Sequence, residues 1–376
     1  GSNKTTEIDS RSIKFGCLDV LDSFTKLAVL AIFSGYQACD RIFVNGKFAE
    51  TVDVKKLGNF ISYNLNHDVA PRRFSTQISF NRDFDNPVDV GENDYQGILS
   101  FSGGIDSTAG LLYALERKMN VVPMWIDFGQ RNKKAEEAAV RWVLARLKIE
   151  PIIVRLDLEK IILDGWRQWN FIVPGRNFLF LSIANAILQR SKKRDNFILL
   201  CAHKDEMGHK KNRDKSLFFF EAASGFFSAA GEKKIAAFTP FKDFSKTEIL
   251  SYWKKEWEKK FNVSPHDTTT CYYENGCGEC EACLKRSIYL TAAGYPLDPA
   301  IRVNPMTDPS GFMRTKWIPR IKGKNLSRTN ELDFLLAIEK HADSVPKEVS
   351  NYLLKLPWQT RAALERRKRE IDSIKI

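Results

Sequence analysis

The stretch SFSGGIDST, residues 100–108, indicates the fold of the chain. It follows a short apolar run that reads as a buried strand, and it leads into TAGLLYALERK, which has helical spacing. Gly103 and Gly104 permit backbone conformations that are closed to other residues. Such a turn, backed by the N-terminus of a helix, points backbone N–H groups at an anion. Ser102, Ser107 and Thr108 add hydroxyl donors, so we expect a phosphate site, although the Walker spacing is absent.

The SGGxDS pattern after a strand resembles the PP-loop pyrophosphatases, which cleave ATP between its α and β phosphates. The resemblance implies that ATP is bound by the loop residues Ser102, Gly103, Gly104, Asp106, Ser107 and Thr108. It also implies catalytic roles for Ser102, Asp106 and Ser107. Because the charge of Asp106 repels phosphate, we expect this carboxylate to help hold Mg²⁺.

Strands and helices alternate outward from this loop. Four apolar runs read as buried strands, namely GILSFS, VVPMWIDF, PIIVRLDL and NFILLCAH, with helical patterns between them. Strands that are apolar on both faces and separated by helices predict an α/β fold with a doubly wound parallel sheet. Ligands of such sheets bind at the carboxyl ends of the strands.

The flanking segments differ from this pattern. Residues 13–40 have helical spacing, IFV before Asn45-Gly46 reads as a strand entering a tight hairpin, and residues 77–80 alternate like a strand. Two polar helices are expected over residues 329–342 and 346–374; the charged second one reads as a solvated helix, with a nucleic-acid contact as the alternative. We therefore expect an N-terminal α+β extension (1–96), a PP-loop domain (97–300) and a helical C-terminal extension (301–376).

Composition bounds the class of protein. The chain has 376 residues, 43% of them hydrophobic, which excludes disorder throughout. Its net charge of +12 favours an anionic partner such as a nucleotide, a nucleic acid or an acidic protein. The longest apolar stretch, residues 178–188, is shorter than a membrane span, and the first ten residues, GSNKTTEIDS, lack the apolar core expected of a signal peptide. We expect a cytoplasmic protein with reduced cysteines and no membrane partner.

Four of the seven cysteines form the cluster C-x5-C-x2-C-x2-C, at Cys271, Cys277, Cys280 and Cys283. Four thiolates at these short steps predict a closed, structural Zn²⁺ site. An iron–sulfur cluster and free thiols are the alternatives. Cys17, Cys39 and Cys201 stand among apolar residues and read as core residues.

The loop and the cysteine cluster, in this order, resemble the 7-cyano-7-deazaguanine synthases of the queuosine pathway, which have a PP-loop, adenine nucleotide alpha hydrolase-like fold. Three further segments are similar to that family: IDFGQR (126–131), FIVPGRN (171–177), and TPF followed by Lys246 and Glu248. The TCY…CGxCxxC block, which ends at Arg286, is similar as well. The resemblance spans roughly residues 98–294.

The resemblance implies roles for further residues. It implies ATP and Mg²⁺ as cofactors beside Zn²⁺, Asp127 at the ATP, and catalytic roles for Lys246 and Arg176. A 7-deazaguanine carboxylate would be bound by the residues Gln130, Arg131, Arg176, Asn177, Asp205, Arg213 and Asp214. Because ATP and the carboxylate are both anions, cationic side chains and Mg²⁺ are expected to bring them together.

Two departures from the family pattern bear on the substrate and the acceptor. Where the family has DFSGYPDCRD, this chain reads DEMGHKKNRD at residues 205–214, so a carboxylate that could read a purine edge is replaced by Lys211. Lys210 and Lys211 could instead contact an acidic acceptor. The chain is also longer at both ends, and it resembles an enlarged branch of the family in bacterial antiviral operons, whose members are thought to join a deazaguanine to a protein amine.

Three hypotheses follow. The first is an ATP-dependent ligase that adenylates 7-carboxy-7-deazaguanine and transfers it to an amine of a partner protein encoded nearby, in antiviral defence. The second is a 7-cyano-7-deazaguanine synthase that uses ammonia. The third is a PP-loop enzyme that adenylates a base in tRNA or DNA, which the positive charge favours and the lack of a recognisable RNA-binding module disfavours.

Overall fold

Five parallel strands form the sheet that the alternating pattern predicts. The computed structural model of the chain describes residues 5–9, 41–47, 77–83, 93–155, 176–207, 213–273, 276–305, 318–321, 328–343, 345 and 347–376. In the order β6-β5-β4-β7-β8, the strands of this sheet are Ile152–Arg155, Val121–Asp127, Gly97–Ser100, Asp195–Leu199 and Lys234–Phe238. The predicted doubly wound α/β sheet is confirmed.

Helices separate these strands along the chain. Those up to the cysteine cluster are α1 (Ile105–Glu116), α2 (Lys133–Leu147), α3 (Arg176–Gln189), α4 (Lys204–Met207), α5 (Leu217–Ala230), α6 (Lys246–Tyr252) and α7 (Glu258–Phe261). A π-helical turn, Trp253–Trp257, joins α6 to α7. The sequence patterns did not single out strand β8 or helix α5, whose sequence is LFFFEAASGFFSAA.

The strand order creates a switch point beside β4. Strand β4 pairs on one side with β5 and on the other with β7, and the connections run in opposite directions from it. Doubly wound sheets bind ligands outside the carboxyl ends of the strands at such a point. The SFSGGIDST loop follows β4, so the fold brings the expected phosphate site to this edge.

The C-terminal segment packs on the sheet domain instead of standing apart in solvent. After α8 (Glu281–Ala292) come α9 (Ile318–Ile321), α10 (Thr329–Lys340), α11 (Lys347–Leu354) and α12 (Trp358–Asp372). Phe334 and Leu335 of α10 are fully buried and share one hydrophobic core with Leu99 of β4 and Ile288 of α8. The expectation of polar helices is therefore wrong for α10, whose apolar face is buried by packing against α8.

The expected second C-terminal helix is two helices. Pro357 stands as the N-cap of α12 and has no backbone N–H to continue α11. Helix α12 is also not simply solvated, since Leu364, Arg367 and Ile371 are buried. They lie on the face of this highly charged helix that packs against α6 and α10.

Three parallel strands lie in the N-terminal part of the chain. They are β1 (Thr5–Asp9), β2 (Arg41–Lys47) and β3 (Gln77–Asp83), in that order in their own sheet. The expected hairpin at Asn45-Gly46 is wrong, because both residues continue β2 and pair in parallel with Asn81 and Arg82 of β3. The expected helix over residues 13–40 lies outside the described residues. No described helix is both long and apolar enough to cross a membrane.

Candidate active site

The loop after β4 forms a cradle of backbone and hydroxyl groups. The Ser107 hydroxyl accepts from the backbone N–H of Ser102 at 3.2 Å and donates to Gly104 O at 3.2 Å. The hydroxyls of Ser102 and Ser107 are 3.3 Å apart. Gly103 has a φ of +67°, and a Cβ there would come within 2.9 Å of the Val140 backbone N. This glycine is thus required by both its conformation and its close approach to α2.

Asp106, in the first turn of α1, pairs with Lys246 at the start of α6. The Nζ of Lys246 lies 3.0 Å from Oδ2 of Asp106. A capping box begins α6: the Ser245 hydroxyl accepts from the backbone N–H of Glu248, and the Glu248 carboxylate accepts from that of Ser245. The backbone N–H of Lys246 donates to Asp205 at 3.3 Å. Asp106 and Lys246, for both of which the resemblance implies a catalytic role, are therefore in contact at the switch point.

A second group of charged side chains follows β7. His203 is buried, with Nδ1 3.4 Å from Oδ2 of Asp205 and Nε2 3.6 Å from Oε2 of Glu206. Lys215 donates to Oε2 of Glu206 at 2.8 Å. Acidic and basic groups thus alternate from Lys215 through Glu206 and His203 to Asp205, directly beside the Asp106 carboxylate.

The charges of this group favour ionised carboxylates. Burial opposes ionisation of Glu206, but the positive charges of Lys215 and Lys246 and the His203 ring outweigh it, so the pKa of Glu206 is lowered. Burial acts the same way on Asp205, yet the adjacent His203 ring and the hydrogen bond from the Lys246 backbone leave the pKa of Asp205 below its ordinary value. Burial disfavours the Lys215 ammonium, but Glu206 and Asp106 raise the pKa of Lys215 overall. We expect fixed charges here at neutral pH.

The segment after β5 turns back on itself. Oδ1 of Asp127 accepts from the backbone N–H of Gly129 at 3.2 Å, and Oδ2 pairs with Lys133 at 2.5 Å. The Gln130 amide is buried and binds within its own loop, since Oε1 accepts from Phe128 N–H at 2.9 Å and Nε2 donates to Glu136 at 2.8 Å. Gln130 therefore shapes this loop, and its amide is already used inside the protein.

The other residues that are expected to bind the substrate differ in their exposure and contacts. Arg131 is exposed and stacks over the Tyr273 ring at 4.5 Å. Arg176 begins α3, and its Nε has no hydrogen-bond partner among the residues that the structure describes. Asn177 is buried and donates to the backbone oxygen of Asp214 at 3.4 Å. Arg213 lies in a short 3-10 helix, Arg213–Lys215.

Parts of two predicted segments lie outside the described residues. Residues 171–175, the first part of the FIVPGRN match, lie outside the described residues. The same holds for residues 208–212, which contain Lys210 and Lys211.

The four clustered cysteines converge. Cys271, Cys277, Cys280 and Cys283 place their sulfur atoms within 4.8 Å of one another. Cys277 Sγ and Cys283 Sγ are 3.9 Å apart. With Zn–S bonds of about 2.3 Å, tetrahedral ligand sulfurs lie about 3.8 Å apart, so these residues fit Zn²⁺.

The cysteine loop also covers the phosphate loop. The backbone N–H of Thr269 donates to Gly103 O at 2.9 Å, and Asn132 Nδ2 donates to Cys271 O at 3.3 Å. Arg286 of α8 anchors the segment from behind, donating to Asp298 at 2.7 Å and to Thr268 at 2.8 Å. A structural metal at these cysteines would therefore hold in place a segment that contacts the SFSGGIDST loop.

Sequence reasoning missed several residues at this site. His203 and Glu206 stand just past β7, where the rule that ligands bind at strand ends could have found them. Lys215 follows the segment that departs from the family pattern. Arg367 is buried on α12 and donates to Ser245 at 2.6 Å. No local pattern indicates this contact, because 122 residues separate the two partners.

The central region of the chain is similar to known proteins. A family model described as "Queuosine biosynthesis protein QueC" matches residues 96–166 and 165–294. The 7-cyano-7-deazaguanine synthase of Bacillus subtilis (strain 168) is 30% identical over 210 residues, covering 51% of this chain and 92% of the relative. The synthase of Acetivibrio thermocellus is 32% identical over 207 residues (51% and 90%). That of Leptospira interrogans is 28% identical over 225 residues (54% and 89%).

Proposed function

Because the chain belongs to the QueC family of queuosine biosynthesis proteins, we propose that it is an ATP-dependent carbon–nitrogen ligase. Its substrate in this proposal is 7-carboxy-7-deazaguanine, and it forms AMP and pyrophosphate. The acceptor is an amine of a partner protein in bacterial antiviral defence. The observation that carries the proposal is the contact between Asp106 and Lys246, 3.0 Å apart beside the SFSGGIDST loop.

The chemistry proceeds in two steps. A carboxylate oxygen attacks the α-phosphorus of ATP, the bond to the β-phosphate oxygen breaks, and pyrophosphate leaves with the electron pair. The acyl adenylate is a mixed anhydride with a good leaving group. An uncharged amine then attacks its carbonyl carbon, AMP leaves, the amine proton goes to solvent or a base, and an amide remains.

The residues of the site suit the first step. Backbone N–H groups of the loop and the hydroxyls of Ser102 and Ser107 would bind the departing pyrophosphate. Lys246 would neutralise phosphate charge, and Asp106 and Asp127 would hold the Mg²⁺ that accompanies ATP. Arg131 and Arg176 would position the deazaguanine carboxylate, with Asn177, Asp205, Arg213 and Asp214 around the base.

The proposal that the acceptor is a protein rests on the length of the chain. Matches to the synthases cover 51% of this chain but 92% of the Bacillus relative. Residues 1–96 and 301–376 would then serve acceptor binding, while residues 97–300 carry the chemistry. The resemblance to enlarged relatives in antiviral operons supports the same acceptor.

A second function, synthesis of 7-cyano-7-deazaguanine from ammonia, is favoured by the names of the matched relatives. It shares the adenylation step and differs in the nucleophile. It also needs a second round of ATP-driven activation to turn the amide into a nitrile.

The adenylation step is tested by incubating the full chain with ATP, Mg²⁺ and 7-carboxy-7-deazaguanine. We expect AMP and pyrophosphate in equal amounts, formed only when the carboxylate is present. Release of ADP and phosphate instead would contradict the proposal. Lys242→Met, an exposed lysine four residues before Lys246, serves as the matched control for Lys246→Met.

The acceptor is identified by mass spectrometry of proteins encoded beside this chain, each co-expressed with it in a host that makes the substrate. A mass increment equal to a deazaguanine amide, absent with Lys246→Met, supports ligation to protein. Free nitrile with unmodified partner proteins supports the synthase. Modified tRNA or DNA would support a nucleic-acid acceptor.

A further inference from the structure

We propose that Asp106, His203 and Glu206 form a binding site for a divalent cation, in addition to the cysteine site. One ligand atom from each residue lies within 4.8 Å of the others. Metal–ligand bonds of about 2.0–2.2 Å bring ligand atoms to within about 4.4 Å of each other, so small side-chain movements suffice. The residues come from the turns after β4 and β7, on the two sides of the switch point.

His203 is oriented as metal-binding histidines are. The residue is only 2% exposed. Its Nε2 faces Glu206 Oε2 at 3.6 Å, while Nδ1 faces Asp205 Oδ2 at 3.4 Å. A carboxylate behind the distal nitrogen fixes the tautomer and leaves the other nitrogen free to bind a cation. Asp205 is thus a positioning residue that acts through His203.

Buried polar atoms at this point lack partners. Oδ1 of Asp106 and Nδ1 of His203 are buried and form no hydrogen bond with any residue that the structure describes. A buried acceptor without a partner is unfavourable, and a bound cation would satisfy the one at Asp106. A small movement of Asp205 toward Nδ1 of His203 would form a hydrogen bond between the two side chains.

The surrounding charges also admit a cation. Three carboxylates, Asp106, Asp205 and Glu206, meet two ammonium groups, those of Lys246 and Lys215. A histidine ring that binds a metal is uncharged, so with a cation at His203 these side chains carry an excess of negative charge. A divalent cation would neutralise part of this negative charge in place of the lysines. Lys246 would then be free to contact phosphate.

The ligand set selects the kind of metal. An imidazole nitrogen beside two carboxylates suits Mn²⁺, Fe²⁺ or Zn²⁺, whereas Mg²⁺ prefers oxygen ligands and water. Glu206 occupies the position at which the family pattern has Phe, so one ligand of this site is not part of that pattern. The inference goes beyond the proposed function, because the protein would bind this cation without ATP.

The test uses the full chain with zinc already at its cysteines and titrates Mn²⁺ alone, without ATP. Electron paramagnetic resonance should report about one bound Mn²⁺ per chain with hyperfine coupling to a ¹⁴N nucleus. His203→Gln should abolish that coupling and weaken binding at least about tenfold. His341→Gln, a half-buried histidine at the end of α10, should change neither.

Absence of Mn²⁺ binding without ATP, or a nitrogen coupling that survives His203→Gln, would overturn the site. If circular dichroism shows that His203→Gln is unfolded, Glu206→Gln and Asp205→Asn decide in its place, with an expected weakening of about 10–100-fold. Pyrophosphate release is measured separately, so a failed cation site and a failed ligase proposal give different results.

Discussion

Arg367 of α12 donates from Nε to Oδ1 of Asp333 of α10 at 2.8 Å, and both side chains are buried. The same guanidinium contacts the Glu248 carboxylate and donates to the Ser245 hydroxyl at 2.6 Å. Ser245 and Glu248 are the capping box of α6, the helix that begins at Lys246. The C-terminal part of the chain therefore supports the lysine of the candidate active site from behind.

Arg367→Leu should destabilise the protein by about 3–5 kcal/mol, because it leaves the buried carboxylates of Asp333 and Glu248 without a counter-charge. Urea unfolding of the zinc-loaded chain measures the loss. Arg366→Ala, one residue earlier and exposed, should change the free energy of unfolding by less than about 0.5 kcal/mol. Equal effects of the two substitutions would show that the buried contacts contribute nothing.

Lys246→Met should lower carboxylate-dependent pyrophosphate release by about 10²–10³-fold, as expected when a positioned charge is removed from a transferring phosphate. Since the capping box does not involve the Lys246 side chain, α6 should stay folded, which circular dichroism checks. Lys242→Met should keep the full rate. A Lys246→Met protein with an unchanged rate would remove this residue from the chemistry.

Gly103→Ala should strain the phosphate loop, because its φ of +67° is unfavourable for alanine and its Cβ would meet the Val140 backbone N at 2.9 Å. We expect at least about 1–2 kcal/mol of lost stability and much weaker ATP binding, measured by calorimetry. Gly225→Ala in α5 is the matched control, since nothing lies within 4 Å of its added Cβ. That change should stabilise the helix by about 0.4–1 kcal/mol.

Cys283→Ser should reduce bound zinc from about one per chain to none, as measured by elemental analysis. Because Thr269 donates to Gly103, loss of the metal should also weaken ATP binding, even though none of the four cysteines lies in the loop of residues 100–108. Cys201→Ser, a buried cysteine away from the cluster, should keep its zinc. Full zinc in Cys283→Ser would contradict the four-cysteine assignment.

Asp298 should make stability depend on pH in the acidic range. Burial opposes its ionisation, but the His266 ring and the Arg286 guanidinium outweigh it and lower the pKa of Asp298 to about 2. Its ordinary value is 3.8, so the stabilisation is complete above pH 3.8 and is lost as the pH falls toward 2. We expect a contribution of about 1–2 kcal/mol.

The measurement compares the free energy of unfolding of the unaltered chain and of Asp298→Asn across this range. The difference between the two proteins should shrink as the pH falls from about 4 to about 2. A difference that stays constant would mean that Asp298 does not titrate in this way.

The sheet and the phosphate loop could be predicted because their signals are local. Each strand from β4 to β7 is a short apolar run, and Gly103 and Gly104 stand between a strand and a helix. The cysteine cluster is similarly local, since four ligands within one loop need no knowledge of the rest of the fold. Asp106 and Lys246 are distant in sequence, and the fold brings them into contact because both follow strands of the same parallel sheet.

The remaining features depend on contacts that sequence spacing does not encode. Gln130 stands in a matched motif, but its amide is bound inside its own loop. Asn45-Gly46 has the composition of a tight turn, and parallel pairing with β3 overrides that preference. Arg367 meets Glu248 from 119 residues away, and a helix rich in charge ordinarily faces water.

The core shared by α10, α8 and β4 has a consequence for dissecting the protein. A fragment trimmed to residues 96–294, the region matched to the QueC family, would leave the faces of α6 and α8 that α10 and α12 cover exposed to water. It would also leave Glu248 without Arg367. We therefore expect this fragment to be less stable than the full chain, although it contains the whole region that the chain shares with its relatives.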